Sequence, residues 1–345
     1  MNKSAKTIVI RTKGGMSYGW GHVIRSRTLA RHLKESGRYA HVIVVAESDK
    51  YLRGRLETYK LNYLFVSDSK DEAISLEEVE FLQGVNVDLV VFDMLRVPDS
   101  LLEAYRLYGS KIVIFNDMAD KDYSVDMMIY PQNQELDPSY SSSRHYLVGA
   151  DYFIINPVLF SVPNSRVHSK NKRNKFLVYA GGSVTKRVYD FLLELLISLP
   201  ALGLEITFLK GFDNEIDEHA LRKRSVNEVN FVEGSENLSA LFLNTDFALA
   251  ASGYIKYELA YCGIPSLLFS IVDHQRLLGE AYCRNSGSCV YVGDIKDINI
   301  EDVEYQIRKL STDFEYYQNV SYRAVKFIDG QGVYRIAKEL GNLTL

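Results

Sequence analysis

Apolar residues along this chain fall first into short β-branched runs and then into the three- and four-residue spacing of helices, and the two patterns alternate. Strands are predicted at Thr7–Ile10, His41–Ala46, Leu64–Val66, Leu89–Phe92, Ile112–Phe115, Met127–Ile129 and, more weakly, Tyr146–Val148. Helical patterns lie between them at Arg25–Ser36, Lys50–Tyr59, Ser75–Gln83 and Ser100–Tyr108. Strands that alternate with helices imply a parallel sheet covered on both faces. The rhythm breaks at residues 161–175, rich in Ser, Asn, Lys and Arg and containing Pro163, which reads as an interdomain linker. It then resumes with predicted strands at Phe176–Tyr179, Glu205–Leu209, Val229–Val232, Phe247–Ala250, Ser266–Phe269 and Val290–Val292. Helices are predicted at Tyr189–Ser198, Leu238–Asn244 and Ile255–Cys262, and the chain ends in helical patterns at Glu301–Leu310, Glu315–Phe327 and Gly332–Leu340. The expected fold class is α/β: two doubly wound domains, residues 1–160 and 176–345, facing each other across a cleft. The final helices are candidates to pack back on the first domain.

Composition narrows the function classes. At 345 residues the chain is long for one core, which supports the two-domain reading. A formal net charge of -4 argues against a nucleic-acid partner but leaves room for a local basic pocket. The apolar stretches are too short and too interrupted to span a bilayer. The polar Met1–Lys6 segment runs straight into a strand, so no signal peptide is expected. Cys262, Cys283 and Cys289 lack zinc-site spacing and are expected to be reduced thiols in or near the core of a cytoplasmic protein. The 24 tyrosines fit packing, sugar stacking and an interface equally well.

Four segments carry candidate chemistry. In Gly19-Trp20-Gly21-His22-Val23-Ile24-Arg25 a first strand hands over to its helix, where open α/β sheets place their ligands. Gly19 and Gly21 allow close backbone approach, and His22 offers an imidazole that titrates near neutrality. The plain alternative is a tight turn with a surface histidine. In the second half, Ala250-Ala251-Ser252-Gly253-Tyr254 ends a strand in small residues just before a helix, where a diphosphate is favoured. Glu258, one turn into that helix, can accept both hydroxyl hydrogens of a ribose, or it is an ordinary solvated carboxylate. Tyr179-Ala180-Gly181-Gly182-Ser183 is a glycine-rich turn that either lines the cleft or simply joins strand to helix. Asp273-His274-Gln275, after the strand that follows Gly263-Ile264-Pro265, can hydrogen-bond sugar hydroxyls or form a helix start capped by Asp273. Asp93 and Asn116-Asp117 end strands and are site or capping candidates. Gly19-Trp20-Gly21 superficially suggests a dinucleotide site, but the final glycine of that fingerprint is missing.

Taken in order, these segments resemble the UDP-2,4-diacetamido-2,4,6-trideoxy-β-L-altropyranose hydrolases of pseudaminic acid synthesis. More distantly they resemble the UDP-N-acetylglucosamine transferase of peptidoglycan synthesis. The likeness runs nearly end to end. It includes Gly21-His22-Val23-Ile24-Arg25, Val91-Phe92-Asp93, Tyr123-Ser124-Val125-Asp126, Val148-Gly149-Ala150-Asp151-Tyr152 and Asn156-Pro157-Val158-Leu159-Phe160. It continues through Gly181-Gly182-Ser183, Ala251-Ser252-Gly253 with Glu258, Gly263-Ile264-Pro265, Gln275 and the closing Asp329-Gly330-Gln331-Gly332-Val333-Tyr334-Arg335. The chain departs from the hydrolase pattern at Met94-Leu95, Asn116, Val184, His274 and the Ser-Gly-Tyr-Ile run 252–255.

The resemblance implies two Rossmann-like domains in the glycosyltransferase-B arrangement and a UDP-sugar substrate. It implies His22 as general base, activating water at the anomeric carbon with inversion and departure of UDP. Glu258 would hold the ribose, Ser252 and Gly253 the phosphates, and Gln275 the sugar or diphosphate. Gly19, Gly21, Arg25, Asp93, Gly181, Gly182, Ser183, Tyr254 and His274 complete the expected binding set. No cofactor and no metal are implied, because helix N–H groups take over the charge a cation would neutralise. The alternatives are a glycosyltransferase of the same fold and a non-catalytic nucleotide-sugar-binding protein.

Overall fold

The computed structural model describes residues 6–15, 19–47, 50–56, 60–67, 74–132, 142–162, 173–181, 185–211, 218–233 and 238–344, with Lys50, Tyr51 and Arg55 as backbone only. It divides into two compact units: Met1–Ile154 with Gly330–Leu345, and Ile155–Asp329.

The first unit runs β1 (Thr7–Thr12), α1 (Gly21–Glu35), β2 (His41–Glu47), α2 (Lys50–Leu56), β3 (Asn62–Val66), α3 (Leu76–Gly84), β4 (Leu89–Asp93), α4 (Asp99–Leu107), β5 (Lys111–Phe115), β6 (Met127–Tyr130) and β7 (His145–Val148). The second runs β8 (Lys175–Tyr179), α5 (Lys186–Ser198), β9 (Glu205–Leu209), α6 (Glu218–Arg224), β10 (Glu228–Val232), α7 (Leu238–Leu243) and β11 (Phe247–Ala251). It continues through α8 (Ile255–Tyr261), β12 (Ser266–Ser270), α9 (Asp273–Ser286), β13 (Cys289–Asp294), α10 (Ile300–Thr312) and α11 (Phe314–Phe327). The last helix, α12 (Gly332–Leu343), belongs to the first unit. Helix α6 was not among the predicted elements, and α9 was expected only as the alternative helix start at Asp273.

Among the described residues the first sheet has the order β3-β2-β1-β4-β5-β6-β7 and the second β10-β9-β8-β11-β12-β13, with parallel pairing throughout. The alternation of strand side chains explains the two-sided core of the first unit. Ile8, Ile10 and Val91 bury one face against Leu29, Leu33, Ile336 and Leu340 of α1 and α12. Val9, Val90 and Phe92 bury the other against Leu101, Leu102 and Tyr105 of α4. Each fully buried Leu or Ile of this kind contributes about 1.5–3 kcal/mol. In the second unit Val178, Leu249 and Leu267 pack with Leu192, Leu195, Ile307 and Tyr317.

The unit boundary lies earlier than residue 160. The 3-10 turn Pro157–Ser161 carries Phe160, whose ring sits 5.8 Å from that of Tyr261 in α8, so this stretch belongs to the second unit. Of the final helices, α10 and α11 pack on the second sheet through Val303, Ile307, Leu310 and Tyr317, whereas α12 packs on the first. Gly332 opens α12 so close to residue 153 that a Cβ there would lie 2.1 Å from the Phe153 carbonyl oxygen. Most of the expected linker, residues 163–172, lies outside the described residues.

The cysteines correct the expectation of three reduced thiols. Cys283 and Cys289 form a disulfide with Cα atoms 5.2 Å apart, and Cys262 is free and buried. Gly287 caps α9 in the left-handed region (φ 58°), which turns the chain so that Cys289 at the start of β13 returns beside Cys283. Among the described residues no helix is long and apolar enough to cross a membrane.

Candidate functional site

In the first sheet the strand order reverses between β1 and β4, and open α/β sheets bind ligands outside the carboxyl ends of strands at such a point. Thr12, the last residue of β1, pairs with Asp93, the last of β4, and Asp93 pairs with Phe115, the last of β5. The loop after β1 returns tightly: Gly15 and Gly19 bond each other through both backbone amides, at 3.1 and 2.8 Å. Gly19 has φ 75°, and a Cβ on Gly14 would lie 2.3 Å from Cγ2 of Val23. This close packing delivers Gly21 to the first position of α1 and His22 to its first turn.

On α1 the spacing i, i+3, i+4 puts His22, Arg25 and Ser26 on one face, above the ends of β4 and β5. His22 Nδ1 lies 2.8 Å from Oδ1 of Asp93. Arg25 donates Nε to Asp93 Oδ2 at 2.9 Å and Nη2 to Asp93 Oδ1. It also donates Nη1 and Nη2 to the two oxygens of Asp117, at 3.0 and 2.9 Å. Ser26 Oγ donates to Asp93 Oδ2 at 3.0 Å, and the Arg25 guanidinium lies 4.2 Å from the centre of the Phe115 ring. Asp93 is wholly buried. Burial alone would raise its pKa, but the Arg25 charge and hydrogen bonds, with those of His22, outweigh it and hold the carboxyl below its ordinary value.

The ionised Asp93 carboxylate accepts a hydrogen bond from Nδ1–H, which keeps the proton on that nitrogen and leaves the basic lone pair on Nε2. Donor atoms of His22, Asp93 and Asp117 also lie within 4.8 Å of one another, a spacing that suits a metal ion. Arg25 sits between both carboxylates and supplies the cation they need, so the cluster reads as a buried salt-bridge network.

Asp117, noted in the sequence only as a strand-end candidate, is therefore central, and Ser26 was missed; the helical spacing from His22 was the available signal. Asn116 serves the turn instead, donating to the Lys121 carbonyl at 2.8 Å and accepting from Ala119 N at 3.0 Å. Met94, one of the departures from the resembled pattern, is buried in the core with Val90 and Phe92.

In the second sheet the order reverses between β8 and β11. Gly181 follows β8 with φ 110°, a conformation that requires glycine; Gly182 and Ser183 lie outside the described residues. After β11, Ser252 donates its N–H to the Phe269 carbonyl at 2.8 Å, and Gly253 donates to Ala251 at 2.7 Å. Ser252 Oγ is buried without a hydrogen-bond partner, and Tyr254 is the N-cap of α8. Glu258 is partly buried in α8, and desolvation pushes its carboxyl up to about 7. Burial and then the nearby Glu258 charge push the Tyr179 hydroxyl up to about 12, which makes the end of β8 and α8 electrostatic neighbours.

Helix α9 brings the third segment to the same sheet end. Its N-cap is Val272, not Asp273, which is exposed and pairs with Lys296. Gln275 Oε1 accepts from Ile271 N at 3.1 Å, so its amide is oriented by the backbone, and His274 stands beside it in the first turn. Gly279 lets α9 approach the loop after β11: a Cβ there would lie 2.5 Å from Ser252 Oγ and 3.1 Å from its Cβ.

No protein-family profile matches the chain. The spore coat polysaccharide biosynthesis protein SpsG of Bacillus subtilis strain 168 is 24% identical over 338 residues, covering 96% of each chain. The chain is a homologue of SpsG. An uncharacterized protein of Methanocaldococcus jannaschii is 21% identical over 310 residues, 86% of this chain, which spans 62% of that protein's length. Among solved structures, Acinetobacter baumannii MurG aligns with a TM-score of 0.73 at 14% identity, covering 98% of this chain and 99% of its own. The Neisseria meningitidis UDP-GlcNAc 2-epimerase, bound to UDP-GlcNAc, aligns with a TM-score of 0.63 at 13% identity, covering 97% and 99%. These likenesses establish the glycosyltransferase-B fold for this SpsG homologue.

Proposed function

We propose that this protein is a nucleotide-sugar hydrolase that removes UDP from a UDP-linked aminodeoxy sugar, within pseudaminic-acid-like or surface polysaccharide biosynthesis. The observation that carries the reading is the buried His22–Asp93 contact at the strand reversal of the first sheet. His22 is the general base. Its Nε2 takes a proton from water as the water oxygen bonds to the anomeric carbon, and the bond from that carbon to the diphosphate oxygen breaks. UDP leaves with the electron pair, and the sugar leaves inverted and free. A base placed in this way contributes about 10²–10⁴-fold to the rate. Asp93 fixes the tautomer and stabilises the imidazolium that forms, and Arg25 and Ser26 hold Asp93 in place.

The second unit holds the nucleotide in this reading. Glu258 takes the ribose hydroxyls, Gly181, Ser252, Gly253 and Tyr254 line the diphosphate, and His274 and Gln275 face the sugar or diphosphate. The spore coat polysaccharide biosynthesis role of SpsG, 24% identical along nearly the whole chain, supports a polysaccharide pathway.

The test is UDP release from UDP-2,4-diacetamido-2,4,6-trideoxy-β-L-altropyranose with no acceptor present, for the parent and His22→Ala in parallel. Release of UDP and free sugar by the parent alone is expected. Equal rates for the two proteins would overturn the role of His22. UDP binding without release would favour a glycosyltransferase awaiting its acceptor, the reading that the fold shared with MurG also supports, or a nucleotide-sugar binder.

A further inference from the structure

Lys256, the second residue of α8, is buried to 1% exposure and is among the largest fully buried side chains of the molecule. Lysine almost never occupies such a position without a specific reason, since desolvating an ammonium is costly. Its surroundings are built for a cation. Nζ donates to the Ser252 carbonyl at 3.3 Å and lies 5.1 and 5.5 Å from the ring centres of Tyr257 and Tyr282. Tyr282 is locked against this group in turn: its hydroxyl donates to the Lys256 carbonyl at 3.1 Å, and its ring meets that of Tyr257 edge-on at 4.9 Å. The carbonyl that receives the ammonium belongs to Ser252, first residue of the loop after β11, whose buried Oγ has no hydrogen-bond partner.

A cation fixed directly behind a loop does two things. It pins the loop's backbone through the carbonyl it contacts, and it raises the local potential in a low-dielectric interior where salt screens little. We infer that Lys256 is a positioning residue for a bound diphosphate: it anchors the Ser252–Gly253 turn and supplies buried positive charge beneath it. This rests on the reading that the second unit holds UDP. It also accounts for how an acidic protein, net charge -4, can receive a dianionic group at a loop whose own residues, Ser252, Gly253 and Tyr254, carry no base.

The experiment compares the affinities of the full-length parent, Lys256→Met and Lys256→Gln for UDP, UMP and uridine by calorimetry, with thermal melts as the folding control. Met keeps the length and apolar stem; Gln keeps a donor for the Ser252 carbonyl but no charge. Both variants are expected to lose about tenfold or more for UDP while uridine affinity changes less than about twofold, with UMP between. Parallel losses for UDP and uridine would assign Lys256 a purely structural role and overturn the inference, as would unchanged UDP affinity. Failure of both variants to fold would do the same. If the parent itself binds no UDP, the nucleotide reading of the second unit fails first and this inference with it.

Discussion

Nδ1 of His22 and Oδ1 of Asp93, 2.8 Å apart, join the first turn of α1 to the last residue of β4. The pair is the point where a helix start and a strand end, 71 positions apart in sequence, become one chemical unit. Asp93→Asn keeps the size of the side chain but removes the charge that fixes the tautomer. Turnover of the UDP-sugar is expected to fall by about 10²–10⁴-fold. UDP affinity, which the proposed function places in the second unit, should be unchanged. Steady-state kinetics with parallel UDP titration checks this; a parental kcat would remove Asp93 from the mechanism.

Arg25 lies between two buried carboxylates, and its loss strands both. Arg25→Met is expected to destabilise the first unit by about 3–5 kcal/mol, the range for breaking a buried ion pair by removing one partner. Arg25→Lys should recover only part of this, because a point-like ammonium cannot reproduce the fork that reaches Asp93 and Asp117 together. Urea unfolding curves followed by fluorescence would show the order parent, Lys, Met.

Two carboxyls give stability opposite pH dependences. Asp93 has its pKa lowered on folding, so the stability it contributes is present above the ordinary carboxylate range and is lost as pH falls through its folded value. Glu258 has its pKa raised to about 7, so the folded state holds its proton longer than the unfolded chain does. Its contribution therefore declines as pH rises from the ordinary carboxylate range to about 7, and is flat above. Melting temperatures of the parent and Glu258→Gln measured across that window are expected to converge at its acid end and separate toward neutrality, with Gln the more stable. Parallel curves would refute the shift.

Gly279 and Ser252 are coupled through space. Gly279→Ala places a methyl 2.5 Å from Ser252 Oγ, and overpacking of this kind costs about 1–3 kcal/mol. Ser252→Ala removes that oxygen. The double variant should be more stable than the sum of the two single changes by about 0.5 kcal/mol or more, which a double-mutant cycle in urea would measure. UDP affinity of Gly279→Ala should fall with the displaced loop; full additivity would show that α9 relaxes away instead.

Most strands and the longer helices were legible in the sequence, because burial on both faces of a parallel sheet demands continuous β-branched runs and its covering helices demand apolar spacing of three and four. His22, Arg25 and Asp93 were legible as candidates because glycines and polar residues at strand ends stand out against those runs. Of helix α9 only its start at Asp273 was legible, since its apolar residues are sparse: Gly279, Tyr282 and Ser286 are its buried positions, and its contacts run through a glycine, the Tyr282 ring and a disulfide. The pairing of Cys283 with Cys289 depends on the left-handed turn at Gly287, which spacing does not reveal.

What the sequence by itself determined is the alternation, the two sheets and the residue types at the strand ends, all products of local periodicity. Tertiary structure alone decided that Asp117 and Ser26 join Asp93 around Arg25, that α12 returns to the first unit while α10 and α11 stay with the second, and that Lys256 is buried. Each of these follows from which distant segments meet. A side chain's neighbours across a sheet or beneath a loop set its charge and hydrogen bonding, and no pattern along one stretch of chain encodes them.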